Sequence, residues 1–297
     1  MYGVDCGGVE AVVYNYYSNM NRDKIHFDVV AQAEKGEDVT KNMFAEKLRK
    51  IGANVFYIPT KSDNIIDAMK KLMGIIKNGN YDIVHIHMGQ GSVPYVLAAK
   101  ICGIKNIVVH THIAHDVGGW SDRVFTRLMG QLLKLFKTQK MACSEDAAEI
   151  WQREPVYVLN NALNVENYRF SNAKRDEMRK QLKLEGHTAI CTVARLDENK
   201  NHSFLLDIFA EYTEIDSSAR LVLVGTGAEQ NNVEEKAKGL NIYDKLLFLG
   251  AREDVPDILQ GMDAFALPSN FEGFGIVYVE AQLAGLPCFA IDGAVPK

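Results

Sequence analysis

The stretch Ala264-Phe265-Ala266-Leu267-Pro268-Ser269-Asn270-Phe271-Glu272-Gly273-Phe274-Gly275-Ile276-Val277-Tyr278-Val279-Glu280-Ala281 decides the fold. Ala264–Leu267 is a short apolar run closed by a proline. It reads as a strand buried on both faces. A turn with two glycines follows, and a helical pattern begins at Gly275 and runs to about 285. Strand, glycine turn and helix together form the repeating unit of a parallel sheet covered by helices.

The same alternation extends outward in both directions. Strands are expected at Ala189–Val193, Arg220–Val224, Leu246–Leu249 and Cys288–Ile291. Earlier ones are expected at Ile25–Ala31, Asn54–Ile58, Tyr81–His87, Ile107–His112 and Val156–Leu159. Helical patterns lie between them, at about 9–20, 40–51, 63–78, 121–137, 203–214 and 229–239. The polar, charged stretch Asn167–Glu185 separates two sets of elements. The reading is therefore two Rossmann-like α/β domains, 1–165 and 166–297, facing a cleft at the carboxyl ends of their strands. Both domains are expected to be short of an element, a first strand before Gly7-Gly8 and a closing helix after Cys288–Ile291.

Composition excludes several classes. The 297 residues carry a net charge of −5, which gives no footprint for nucleic acid. No run of about 18 apolar residues marks a membrane-spanning helix. The opening MYGVDCGGVE lacks the regions of a signal peptide. Five scattered cysteines without a CxxC pair fit a reducing, cytoplasmic compartment.

The chemistry-bearing residues concentrate at the ends of the expected strands. Gly273 and Gly275 permit close backbone approach, and the helix after them presents free N–H groups that favour an anion such as a diphosphate. Glu272, on the turn, can accept hydrogen bonds from sugar hydroxyls, and Glu280, one helical stretch later, from a ribose. An acidic helix start that merely suits the dipole is the plainer alternative; the agreement of strand, glycines and helix weighs against it. Arg195 and Lys200 directly follow a strand. Two cations there can neutralise a diphosphate leaving group without a metal, or can be ordinary surface charges. Gly7-Gly8 opens an amphipathic helix and makes either a phosphate turn or a tight turn with no ligand. Gly225-Thr226-Gly227 ends the Leu221–Val224 run but lacks the third glycine of a dinucleotide site, so it reads as a turn lining the cleft.

Histidines gather at strand ends: His85 and His87, then His110, His112 and His115. Imidazole can orient a hydroxyl or polarise a reacting group. A hydrogen-bonded core or cleft histidine is the alternative, and it is stronger for His85 and His115 than for His110 and His112. No zinc site is expected, since no third ligand stands at matched spacing. The helix around Arg127–Lys140 mixes Leu128, Leu132, Leu135 and Phe136 with Lys134, Lys137 and Lys140. It could lie on an anionic membrane surface, although a core face backed by a solvated face explains such patterns more often.

With these residues in hand, the chain resembles the family 4 glycosyltransferases of the GT-B fold, particularly bacterial capsular and exopolysaccharide members. The resemblance runs over essentially the whole chain. GGVE at 7–10, VHTH at 109–112, ACSEDA at 142–147 and NNALN at 160–164 carry it in the first domain. VARLDENKN, LVLVGTG, FLGAREDVPDIL and DAFALPSNFEGFG carry it in the second. It implies retaining, metal-independent transfer from a nucleotide sugar, usually a UDP-sugar, to a glycan or lipid-linked acceptor, with no cofactor. By the same resemblance Arg195 and Lys200 hold the diphosphate and Glu272 contacts the donor sugar. Backbone N–H groups of Phe274 to Ile276 reach sugar or phosphate, Glu280 binds the ribose, and Leu249 to Arg252 line the base pocket. Gly8 contacts phosphate, and His112 or His110 sits near the anomeric carbon. A sugar-nucleotide-binding fragment without activity and a sugar-nucleotide epimerase are the other readings.

Overall fold

The computed structural model describes residues 8–36, 42–112, 120–151 and 155–295. The chain divides into two compact units, 9–162 and 163–295, with Gly8 grouped with the second. The Cys6-Gly7 half of the first glycine turn, the stretch before it that is expected to lack a strand, and His115 lie outside the described residues.

The first unit runs α1 (Gly8–Asn19), β1 (Val29–Ala33), α2 (Met43–Lys50), β2 (Val55–Pro59), α3 (Lys61–Gly79), β3 (Ile83–Ile86) and α4 (Val93–Ile101). It continues with β4 (Asn106–Thr111), α5 (Trp120–Leu135), β5 (Gln139–Ala142), α6 (Glu145–Ala148) and β6 (Tyr157–Val158). Its strands form a parallel pair, β1-β2, and a parallel four-stranded sheet ordered β3-β4-β5-β6. Val109 and Ile107 on β4 pack against Val96, Ala99 and Leu72 of the covering helices.

The second unit runs α7 (Asn172–Gln181), β7 (Ala189–Val193), α8 (His202–Ile215), β8 (Arg220–Val224), α9 (Gln230–Gly239) and β9 (Leu246–Gly250). Then follow α10 (Val255–Gln260), β10 (Ala264–Ala266), α11 (Ile276–Leu283) and β11 (Cys288–Phe289). The five strands are parallel and ordered β11-β10-β7-β8-β9. Neighbouring side chains on a strand point to opposite faces. Accordingly Leu221 and Leu223 join the core under α8 and α9, with Leu206, Phe209 and Val233. Val222 and Val224 join the opposite core, with Phe265, Tyr278 and Ile258. All four are buried, so the LVLV run needs helices on both faces.

The polar stretch Asn167–Glu185, which shows no helical pattern in the sequence, contains α7, docked onto the second sheet. Ser171 caps α7 by accepting from Lys174 N–H. Arg175 and Arg179 reach Asp263 at 2.5 and 3.1 Å, and Ala189 N–H donates to the same carboxylate at 2.8 Å. Burial alone would raise the Asp263 pKa, but these hydrogen bonds outweigh it and hold the carboxyl below its ordinary value. Composition hides this helix because guanidinium groups, and only Met178 among its apolar side chains, fix it in place.

Candidate active site

The sheet order turns between β7 and β10. From β7 the chain adds β8 and β9 on one side, while β10 and β11 lie on the other. Loops leaving the carboxyl ends of the two strands at such a switch point part around a crevice, where open α/β sheets bind ligands. The loop after β7 holds Arg195 and Lys200; the loop after β10 holds Glu272 to Gly275.

These two loops are bonded together. Asn199 Nδ2 donates to the Phe271 carbonyl at 3.1 Å, and Asn270 N–H donates to the Asn199 carbonyl at 2.8 Å. Lys200 Nζ lies 2.8 Å from Glu272 Oε1 although the residues are 72 positions apart. Ser269 Oγ donates to the same oxygen at 2.6 Å. The side chains of Lys200 and Glu272 are only 20% and 10% exposed. Sequence reasoning assigns these residues separate tasks; the fold couples them. An anion entering beside Lys200 would share its ammonium with Glu272.

Gly275 starts α11 in the left-handed region, at φ 70° and ψ 47°. A side chain there would be strained, and its Cβ would stand 2.8 Å from the Tyr278 ring. No side chain caps this helix start. Its N–H groups and dipole therefore favour an incoming anion. Ile276 is buried and Phe274 half-buried.

Gly225 closes β8 at φ 135°, and a Cβ on it would fall 2.0 Å from the Ala194 carbonyl oxygen. Only glycine lets these two strand ends lie side by side. Its N–H donates to the Gly250 carbonyl at 2.8 Å, which ties in the end of β9. Leu249 packs partly into the core beneath. Arg252 forms a two-pronged pair with Asp254, at 2.7 and 2.5 Å, and this bonding raises the Arg252 pKa. Arg195 is exposed and pairs with Asp197 at 2.9 Å. A solvent-facing pair of this kind is worth at most about 1 kcal/mol, so the guanidinium is readily recruited elsewhere.

Glu280 lies buried on α11. Burial raises its pKa to about 7, while the Tyr168 hydroxyl pulls the other way. Tyr168 is not legible in the sequence as a partner, because it comes from the turn before α7. Ser269 and Asn199 escape sequence reasoning too; both lie inside quoted motifs but carry no distinctive spacing.

In the first unit, His112 follows β4 directly, and Gly8 opens α1. His87 Nδ1 lies 2.9 Å from His112 Nε2. The rings of His85, His87, His110 and His112 form one cluster with centroid separations of 4.1 to 5.4 Å, some pairs stacked and others tilted. Burial first, then the neighbouring imidazoles, push His112 down to about 3 and His110 to about 4, which leaves both neutral near pH 7. No third ligand stands at matched spacing along the chain, but strand pairing brings His110 to His85 and His87.

The profile described as "Glycosyltransferase Family 4" matches residues 6–167, and that described as "Glycosyl transferases group 1" matches residues 174–297. The Bacillus subtilis (strain 168) protein EpsF is 31% identical over 306 residues, spanning 99% of this chain and 78% of EpsF. The chain is a family 4 glycosyltransferase. This glycosyltransferase is also 31% identical, over 78% of its length and 65% of the relative's, to the Escherichia coli UDP-Gal:alpha-D-GlcNAc-diphosphoundecaprenol alpha-1,3-galactosyltransferase. Its fold is that of Anabaena Alr3699/HepE, crystallised in complex with UDP and glucose. There the TM-score is 0.79 at 21% identity, over 98% of this chain and 78% of that one. The GT-B reading of the sequence thus holds for the glycosyltransferase.

Proposed function

We propose that this glycosyltransferase moves a hexose from a UDP-sugar to a glycan or lipid-linked acceptor during cell-surface polysaccharide synthesis, with retention at the anomeric carbon and without a metal. The observation that carries the reading is the Lys200–Glu272 pair at the sheet's switch point, beside the uncapped start of α11. HepE was crystallised with UDP, and the E. coli relative takes its name from UDP-Gal; both favour a uridine donor.

In this reading the diphosphate lies at the N-terminus of α11, with Lys200 and a recruited Arg195 on its oxygens. Glu272 accepts from sugar hydroxyls and Glu280 from the ribose. Leu249 to Arg252 flank the base. The bond between the anomeric carbon and the phosphate oxygen breaks first in the transition state. Charge grows on that oxygen, where the two cations and the helix start stabilise it. The acceptor hydroxyl attacks from the same face and passes its proton to the leaving phosphate. Uncharged His112 suits a sugar-facing role near the anomeric carbon, with Gly8 contributing a phosphate contact.

The first unit takes the acceptor, and α5 supports a peripheral membrane contact at the inner face of the cytoplasmic membrane. Leu133 supplies its core face, whereas Leu128 and Leu135 are 56% and 76% exposed among basic side chains. Among the described residues no helix is long and apolar enough to cross a membrane.

The test is a thermal-shift screen of UDP, GDP and their sugars, followed by UDP release in the presence of undecaprenyl-diphosphate-linked sugars. Stabilisation by UDP-sugars and acceptor-dependent UDP release are expected. Absence of any shift with UDP or UDP-sugars would sink the uridine assignment. Release of an epimerised free sugar nucleotide without acceptor would replace transfer by isomerisation.

A further inference from the structure

We propose that His85, His87 and His110 form a binding site for a divalent transition-metal ion of the zinc class. Strand geometry brings the three side chains together. His85 and His87 are two residues apart and so share one face of the sheet at the end of β3. β3 pairs with β4 in the register Ile86 opposite Val109, so the next step sets His87 beside His110. Three imidazoles from two neighbouring parallel strands are thereby gathered at the carboxyl edge of one sheet. Their ligand atoms all lie within 4.8 Å of one another.

A second observation points to a ligand there. His110 is 1% exposed, yet among the described residues neither of its ring nitrogens has a hydrogen-bond partner. The Ala142 carbonyl acts on its charge only from outside hydrogen-bond geometry. A buried polar group without a partner is costly, and a metal ion offers a nitrogen lone pair the partner it lacks. His87 spends Nδ1 on His112, which leaves Nε2 for an ion. A ligating histidine whose other nitrogen is held by a neighbour is the arrangement that fixes ring orientation in metal sites. His85 is exposed and provides the entry side. Three neutral imidazoles with an open fourth position select Zn2+, Co2+, Ni2+ or Cu2+ over Mg2+ or Ca2+.

Ligation requires a local rearrangement. With bonds of about 2.1 Å, nitrogens on a tetrahedral ion stand about 3.4 Å apart. The rings of His85 and His110 are within 10° of parallel, whereas an ion must lie in the plane of every ring it binds. Turning His85 about its soft second side-chain torsion meets both demands, and its exposed position leaves room.

The full chain, freed of metal by chelator dialysis, should bind one Zn2+ by calorimetry. The Co2+ form should show the visible bands of a low-symmetry nitrogen-ligated site, with no thiolate charge-transfer band in the near ultraviolet. His85→Ala and His110→Asn should each weaken Zn2+ binding at least tenfold, while His26→Ala should leave it unchanged. His85 is exposed, so its variant decides the matter even if His110→Asn folds poorly. Absence of Zn2+ binding by the wild-type chain, undiminished binding by His85→Ala, or a thiolate band in the Co2+ form would each overturn the assignment.

Discussion

Glu280→Gln separates what the buried carboxyl does for binding from what it costs in stability. Its midpoint moves from the ordinary 4.5 to about 7, chiefly through burial. At roughly 1.4 kcal/mol per tenfold change, the ionised form is disfavoured in the folded state by about 3 kcal/mol. The folded chain holds this proton more tightly than the unfolded chain does. The associated stability is therefore complete below pH 4.5 and is lost as pH rises through 7. Glutamine keeps the shape and removes the titration. The variant should match the wild type near pH 4.5 and exceed it by about 3 kcal/mol at pH 8.5. Urea unfolding should be followed by far-ultraviolet circular dichroism, because both tryptophans, Trp120 and Trp151, lie in the first unit and do not report on α11. Global charge effects cancel in the difference between the two proteins. Binding should move the other way. With Glu280 on the ribose as proposed, losing that charged hydrogen bond should cost about 1.5–3 kcal/mol, a tenfold or greater loss of UDP affinity. A stability difference that stays flat between pH 5 and 8.5, or a variant less stable at high pH, would refute the burial argument.

Three further outcomes follow from the same geometry. Lys200→Ala leaves Glu272 largely buried and, among the described residues, with Ser269 as its side-chain partner, so the second unit should lose about 2–4 kcal/mol in denaturant titrations and UDP-sugar affinity should fall with it; Lys200→Ala with Glu272→Gln should recover stability but not affinity. Gly275→Ala forces a side chain into the left-handed region against the Tyr278 ring; a loss of at least about 1 kcal/mol by thermal unfolding, together with weaker UDP binding, is expected. Replacing both Leu128 and Leu135 by Glu should abolish co-sedimentation with vesicles rich in phosphatidylglycerol while leaving the melting temperature within about 2 °C, since both side chains are exposed.

Much of the fold is written in local pattern. Ala189–Val193 and Arg220–Val224 form strands with the expected bounds, because residues buried on both faces leave an unbroken apolar run. Gln139–Ala142 escapes such a reading: its four residues include Gln139 and Lys140, and only pairing with β4 makes them a strand. α7 reads as a junction in the sequence because its docking rests on Arg175 and Arg179 finding Asp263 more than 80 positions away, which no local window contains. In the candidate site, the glycine turn, the helix start and both glutamates are visible as a motif. The bond between Lys200 and Glu272, the burial that lifts Glu280, and the partnership with Tyr168 are not.

By itself the sequence determined the family, the parallel α/β architecture and the glycine turn at Glu272 to Gly275 that opens a helix. Periodicity and glycine placement are properties of neighbours in the chain, and local sterics fix what they mean. Only the tertiary structure decided which charges share a bond, which carboxyl loses its water, and that histidines from separate strands stand as one cluster. Those outcomes depend on strand order and register, which bring distant residues within a few ångströms and set the solvation each one keeps.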